Sequence, residues 1–107
     1  HAELAGGKWQ TLTLAEQLGN VGSEFERALS WKRKKHPVHF QNAFDRALEL
    51  TDLTLMDSRW RGRRLREIAR VRESMCEVLI DSSAEPAFAG GLQKYFLAFA
   101  ILARKGK

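Results

Sequence analysis

The sequence has one cysteine and no long apolar segment, and each of these scarcities excludes a class of protein. Cys76 alone cannot form a disulfide within the chain, which excludes a disulfide-stabilised scaffold. No apolar run reaches the roughly 18 residues that a membrane helix needs, so we expect no membrane partner. No signal peptide is visible, and we expect a cytoplasmic protein. At 107 residues, the chain is long enough for one core and too short for two.

The motifs of common catalytic and cofactor sites are missing as well. The chain has no glycine-rich phosphate loop, no G-x-S-x-G elbow and no C-x-x-C pair. His36 and His39 lack the nearby cysteines or clustered carboxylates of a metal site, so we expect no metal and no cofactor. Arg33 and His39 have the R-x4-6-H spacing of a family of helical ribonucleases, but Pro37 interrupts any helix that would align them. We therefore expect a protein that is not an enzyme.

Positive charge, by contrast, is abundant, and it is concentrated in one segment. The chain has 18 Lys and Arg against 13 Asp and Glu, for a net charge of +5 and a pI near 9.8. Seven arginines lie between Arg59 and Arg72, with Glu67 as the only acid among them. Such a surface favours an anionic partner, either nucleic acid, anionic lipid or an acidic protein.

Apolar residues recurring at helical spacing predict four helices and no strand. The first helix begins at Thr13, because Thr13 and Glu16 have the spacing of a capping box. A proline opens the second helix, which we place over 37–56. Asp57 or Ser58 can cap the third.

A polar break over 81–86 separates the third helix from the fourth. We expect an all-α protein, an antiparallel up-down four-helix bundle over 11–107, preceded by a flexible N-terminal segment over 1–10. Gly19 and Gly22 lie inside the first helix, where glycine costs up to about 1 kcal/mol relative to alanine. They predict either the close approach of a second helix or a kink.

The third and fourth helices each carry residues that a single bundle does not accommodate. The third helix has an apolar side and an opposite arginine side, but Arg61 and Arg72 project near the centre of the apolar side. Each of these two needs an acidic partner or an interface. The fourth helix is apolar on more than one face, which favours a homo-oligomer. The predicted oligomer interface comprises Arg61, Arg72, Leu97 and Ile101.

The antiparallel order brings the start of the third helix beside the end of the fourth, so their cations share one pole. Arginine is bidentate to phosphate and stacks on bases, which favours RNA or DNA as the partner. Trp60 either stacks on a base or anchors the end of the core. The predicted nucleic-acid-binding residues are Arg59, Arg63, Arg64, Arg66, Arg70, Arg104 and Lys105. A secondary basic patch comprises Lys32, Arg33, Lys34 and Lys35.

Three segments resemble a family of small bacterial proteins: residues 14–20 (LAEQLGN), 43–50 (AFDRALEL) and 94–96 (KYF), together with the arginine-rich helix. The chain resembles the accessory variability determinant proteins of diversity-generating retroelements and their relatives encoded in intervening sequences of 23S ribosomal RNA genes. The resemblance implies a basic homopentamer of four-helix protomers that binds nucleic acid and a reverse transcriptase. It implies no catalytic residue.

One alternative stays open from the sequence. The arginine-rich helix is also compatible with a homo-oligomeric protein-interaction scaffold, in which its arginines form salt bridges to acids of neighbouring subunits.

Overall fold

The computed structural model describes residues 7–81 and 86–105, and these residues form four α-helices without any β-strand. The predicted all-α class and the number of helices are confirmed, and the second helix ends one residue before the predicted limit. Residues 82–85 of the predicted polar break lie outside the described residues. In chain order the elements are a 3₁₀ turn (Trp9–Thr11), α1 (Leu14–Arg33), α2 (Pro37–Leu55), α3 (Arg63–Ile80) and α4 (Pro86–Lys105).

The predicted capping box starts α1. The hydroxyl of Thr13 accepts a hydrogen bond from the backbone N–H of Glu16 at 3.1 Å. The carboxylate of Glu16 accepts one from the backbone N–H of Thr13 at 2.9 Å. Two N–H groups without partners inside the helix are thereby satisfied, which fixes where α1 begins.

At Gly19 and Gly22, α4 approaches α1 closely, as the first of the two sequence interpretations predicts. A Cβ atom added at Gly22 would lie 2.5 Å from Cβ of Phe96, and one added at Gly19 would lie 3.4 Å from Cα of Ala100. The ring of Phe96 also packs on Phe25, with 5.6 Å between the ring centroids. The missing side chains of the glycines therefore make room for a large residue of α4.

All four helices contribute apolar side chains to one core. Burial of these side chains supplies the main favourable free energy of folding. The buried apolar residues include Val21, Phe25 and Ala28 of α1, Ala43, Phe44, Ala47 and Leu50 of α2, Met75, Val78 and Leu79 of α3, and Leu92 and Phe96 of α4.

Trp9 corrects the expectation of a flexible segment over residues 1–10. Residues 1–6 lie outside the described residues, but the side chain of Trp9 is only 1% exposed. Its indole N–H donates a 3.0 Å hydrogen bond to the hydroxyl of Thr54 in α2. The domain therefore includes Trp9, because the large indole buries its apolar surface and also finds a partner for its N–H.

The start of α3 is a second correction. The helix begins at Arg63, and neither Asp57 nor Ser58 caps it. Gly62 occupies the position before it with φ of +58°, a conformation that glycine adopts at little steric cost. Asp57 instead accepts a hydrogen bond from the backbone N–H of Arg59 at 3.0 Å, inside the loop. The first two arginines of the run therefore lie in a loop and not in the first turn of a helix.

We expect Gly22→Ala to lower the free energy of unfolding by about 1–3 kcal/mol. The added methyl group overlaps Phe96, and this outweighs the gain of about 1 kcal/mol in helix propensity. Gly90→Ala in α4 is the matched control, because no atom lies within 4 Å of an added Cβ there. It should raise the free energy of unfolding by up to about 1 kcal/mol. Urea denaturation followed by circular dichroism measures both, and equal effects would contradict the close approach at Gly22.

Candidate nucleic-acid interface

A buried carboxylate, Asp57, organises the loop between α2 and α3. One of its oxygens accepts a 2.7 Å hydrogen bond from the guanidinium of Arg59. The same oxygen accepts a 3.0 Å hydrogen bond from the side-chain amide of Gln17 in α1. The hydrogen bond from Arg59 lowers the pKa of Asp57 to about 2, against the opposing effect of burial. Asp57 is therefore an ionised group with a structural role at neutral pH.

Gln17 connects this loop to the N-terminal turn. Its amide N–H₂ also donates to the carbonyl oxygen of Trp9 at 2.9 Å, and its oxygen accepts from the indole N–H of Trp60 at 2.8 Å. The sequence analysis missed Gln17. The available signal was its position three residues after Leu14 and four before Val21, which places a polar amide on the apolar stripe of the first helix.

Trp60 and Arg59 are both occupied within the fold. The guanidinium of Arg59 donates to the carbonyl oxygen of Leu12 at 2.6 Å and lies 4.6 Å from the ring centroid of Trp60. With its indole N–H bonded to Gln17, the half-buried Trp60 matches the anchor interpretation better than the base-stacking one. Arg59 stays a prediction as a nucleic-acid contact, but its guanidinium is held by Asp57.

Arg63, Arg66 and Arg70 form what we call the α3 basic stripe. All three side chains are exposed, and at 100° per residue they fall within an arc of roughly 60° around α3. Among residues 7–81 and 86–105, no acidic side chain pairs with any of them. The stripe is therefore the part of α3 whose arginines form no ion pair with a described acid.

The remaining arginines of the run have partners inside the chain. Arg64 pairs with Glu67 at 2.8 Å. Arg72 pairs with Asp52 of α2 at 2.8 Å, which supplies the acidic partner that the sequence analysis required for it. Arg61 donates to a backbone carbonyl oxygen of its own loop at 3.0 Å and stays exposed.

Two basic segments are predicted to share one pole, namely the start of the third helix and the end of the fourth. The start of α1 is close to both of them. Trp60, in the loop before α3, is bonded to Gln17. Near the end of α4, Arg104 lines a groove together with Glu16. Lys105 follows it and is exposed. These contacts place Arg104 and the loop before α3 near the same end of α1.

The predicted secondary patch is at the other end of α1. The ammonium group of Lys32 donates to the carbonyl oxygen of Val78, near the end of α3, at 2.8 Å. The ammonium group of Lys34 lies 5.1 Å from the ring centroid of Trp31. The four residues of this patch are Lys32, which is partly buried, and Arg33, Lys34 and Lys35, which are exposed.

The two histidines that follow this patch pack against Trp31. Their ring centroids lie 5.3 Å (His36) and 4.5 Å (His39) from that of the indole. Arg33 ends α1 whereas His39 belongs to α2, so the two do not share one helix. Within the described part of the chain, no group of three or more His, Cys, Asp or Glu side chains could hold a metal ion.

Over the described residues, these features define an all-helical protein of four α-helices, of which the arginine-rich α3 carries an exposed basic stripe. No protein-family model, curated protein or solved structure matches the chain. Over residues 7–81 and 86–105, none of the helices is both long and apolar enough to cross a membrane.

The buried Asp57 predicts a specific loss of stability in acid. Its pKa is about 2 in the folded chain against an ordinary value of 3.8, so ionised Asp57 stabilises the fold above pH 3.8. That stabilisation is lost as the pH falls through the folded pKa. Because Arg59 is partly exposed, we expect a loss of about 1–2 kcal/mol between about pH 4 and about pH 2.

Urea denaturation over a pH series tests this expectation. The Asp57→Asn variant should lack this component of the pH dependence, whereas Asp45→Asn, at an exposed position of α2, should follow the wild type. Parallel curves for the wild type and Asp57→Asn would contradict the structural role of the carboxylate.

Proposed function

We propose that this protein is a non-enzymatic accessory protein that binds nucleic acid through the α3 basic stripe. The observation that supports the proposal is the exposure of Arg63, Arg66 and Arg70 without an acidic partner among the described residues. The stripe extends over about 10 Å of the helix axis, roughly three phosphates of one strand. Arginine binds phosphate through paired hydrogen bonds, which suits it to this role.

Stability of the fold does not account for the stripe. Arg63 and Arg66 lie in the first turn of α3, where the helix dipole disfavours a cation by about 0.3–1 kcal/mol. Other arginines of the same run have acidic partners within the chain, namely Asp57, Glu67 and Asp52. A bound phosphate would give the stripe the negative charge that those partners give to the other arginines.

An antiparallel up-down arrangement of the helices is part of the proposal. Two contacts support it for α1 and α4: Gly19 lies against Ala100, and further along α1, Glu26 accepts a hydrogen bond from Gln93. The later residue of α1 thus contacts the earlier residue of α4, as expected for two antiparallel helices. The same arrangement adds two cations of α4 to the pole that carries the stripe, namely Arg104 and Lys105.

We further propose that the protein is a homo-oligomer that uses the outer face of α4. Leu97, Ile101 and Leu102 are 54%, 41% and 58% exposed. Exposed apolar side chains that lie near one another on one helix are typical of an interaction surface. Of the arginines predicted for the interface, Arg72 is already paired with Asp52, whereas Arg61 is exposed.

The resemblance to the accessory variability determinant proteins adds two further elements to the proposal. It implies five copies in the assembly and a reverse transcriptase as the protein partner. A basic stripe repeated around such a ring would follow a phosphate backbone over a longer path than one protomer offers.

The salt dependence of binding tests the nucleic-acid proposal. We expect Arg63→Gln, Arg66→Gln and Arg70→Gln together to weaken the binding of RNA or duplex DNA. They should also reduce the slope of log K against log salt by about two to three. Fluorescence anisotropy of a labelled probe over a salt series measures both quantities, and circular dichroism checks that the triple variant is folded.

A triple substitution at the other end of α1 is the matched control. Replacing Arg33, Lys34 and Lys35 by Gln removes the same charge, and we expect it to change the slope much less. An equal effect of the two triple variants would mean that net charge and not the stripe determines binding, and would contradict the proposal.

The second candidate function is a homo-oligomeric protein-interaction scaffold, and the exposed apolar face of α4 is the observation that favours it. We expect Leu97→Glu to lower the mass of the assembly while the helix content is retained, because a carboxylate would be buried at the interface. Val38→Glu, at a 70% exposed position of α2, is the control and should leave the mass unchanged. Light scattering measures the mass, and an unchanged mass for Leu97→Glu would contradict the α4 interface.

A scaffold held by intersubunit salt bridges and a nucleic-acid-binding protein respond differently to salt. High salt would dissociate the scaffold into smaller species. In the nucleic-acid-binding protein, it would release the ligand and leave the assembly intact.

A further inference from the structure

A groove of about 330 Å³ opens between α3 and α4, next to the α3 basic stripe. Arg70 and Ser74 line its α3 side. Phe88 and Tyr95 line its α4 side, with Gly91 between them. The groove thus combines a cation of the stripe with two aromatic rings, of which Tyr95 also packs against the core and Phe88 is exposed.

The centre of the groove has room for a flat ring. Within residues 7–81 and 86–105, and apart from the neighbouring residues and backbone of α4 itself, no atom lies within 4 Å of a Cβ added at Gly91. Phe88 and Tyr95 are seven residues apart, or about 10 Å along the helix axis, and Gly91 leaves the space between them open. Phe88 is 41% exposed, so a planar group entering the groove can reach its ring.

The charge that the groove offers to a ligand is positive. Among the described residues, the one acid that lines it is Glu67, which accepts a hydrogen bond from the hydroxyl of Tyr95 at 2.7 Å and forms an ion pair with Arg64 at 2.8 Å. Its negative charge is therefore balanced within the chain, whereas the guanidinium of Arg70 is exposed. An aromatic ligand that carries a phosphate matches both features.

We infer that the groove between α3 and α4 binds an unstacked base of a single-stranded nucleic acid, with the adjoining phosphates on Arg70 and Arg66. This inference rests on the proposed function and specifies its substrate class. Proteins that bind single strands combine a basic path along the backbone with aromatic side chains on which bases stack. Ser74, one helical turn after Arg70, places a hydroxyl on the same side of the groove for the edge of the base.

The arrangement distinguishes a single strand from a duplex. The bases of a duplex are stacked and paired inside the helix, so a duplex can reach the stripe with its phosphates but cannot place a base beside Phe88. Binding through the stripe alone would give no preference for the single strand, because the phosphates of a duplex are more densely spaced. Occupation of the groove adds affinity for the single strand only.

The test compares a labelled oligouridylate with an RNA duplex that has the same number of phosphates, by fluorescence anisotropy at one salt concentration. Phe88→Ala should weaken binding of the single strand by about five- to a hundredfold, the range expected for loss of one base–aromatic stack. Binding of the duplex should be unchanged.

Gly91→Leu is the sharper variant, because it fills the groove without changing any charge. Leucine also favours a helix more than glycine does, so a loss of binding would not be due to unfolding of α4. Gly90→Leu is its matched control. Gly90 is also open, with no atom within 4 Å of an added Cβ, but it lines a different groove, between α1 and α4.

We expect Gly91→Leu to lose the single-strand preference and Gly90→Leu to keep it. Wild-type affinity of Gly91→Leu for the single strand would overturn the inference, and so would an equal loss for single strand and duplex. A change in mass of Gly91→Leu without a change in affinity would assign the groove to a second copy of the chain. Salt-sensitive binding without any single-strand preference would overturn this inference alone, whereas no binding of either probe would overturn the proposed function too.

Discussion

The ionised carboxylate of Asp57 is the group on which the arrangement at the basic end of the molecule depends. A buried charge is tolerated only when it is paired and hydrogen-bonded, and here Arg59 and Gln17 supply the partners. Gln17 in turn is bonded to Trp9 and Trp60. The N-terminal turn, α1 and the loop after α2 are thus joined by one polar network.

The arginine run divides according to what each arginine can reach. Arg59 and Arg72 have acids within hydrogen-bonding distance, and the fold uses them as internal contacts. The members of the α3 basic stripe are exposed, and no acid of the described chain forms an ion pair with them. In the proposed function, the anion binds the arginines that the fold leaves unpaired, and these are fewer than the seven arginines of the run.

Glycine has two different roles in this chain, and only its surroundings distinguish them. Gly19 and Gly22 face α4, where a side chain would collide with Phe96 or crowd Ala100. Gly90 and Gly91 face open space on α4. The first pair brings two helices together, whereas Gly91 leaves a groove open beside the stripe. Packing within the chain thus explains the first pair of glycines, whereas the proposed ligand groove gives a reason for Gly91.

The sequence by itself determined the local features: four helices, the capping box at Thr13 and the two glycines at the α1–α4 contact. These depend on periodicity and on residues three or four apart, which propensity and spacing report directly. Only the tertiary structure decided that Trp9 is buried, that α3 starts after Gly62 and which arginines are paired. The hydrogen bonds responsible join residues 45, 40 and 43 positions apart, from Trp9 to Thr54, Gln17 to Asp57 and Trp60 to Gln17. Contacts between residues so far apart in the sequence produce no periodic pattern in it, because they depend on how the helices pack together.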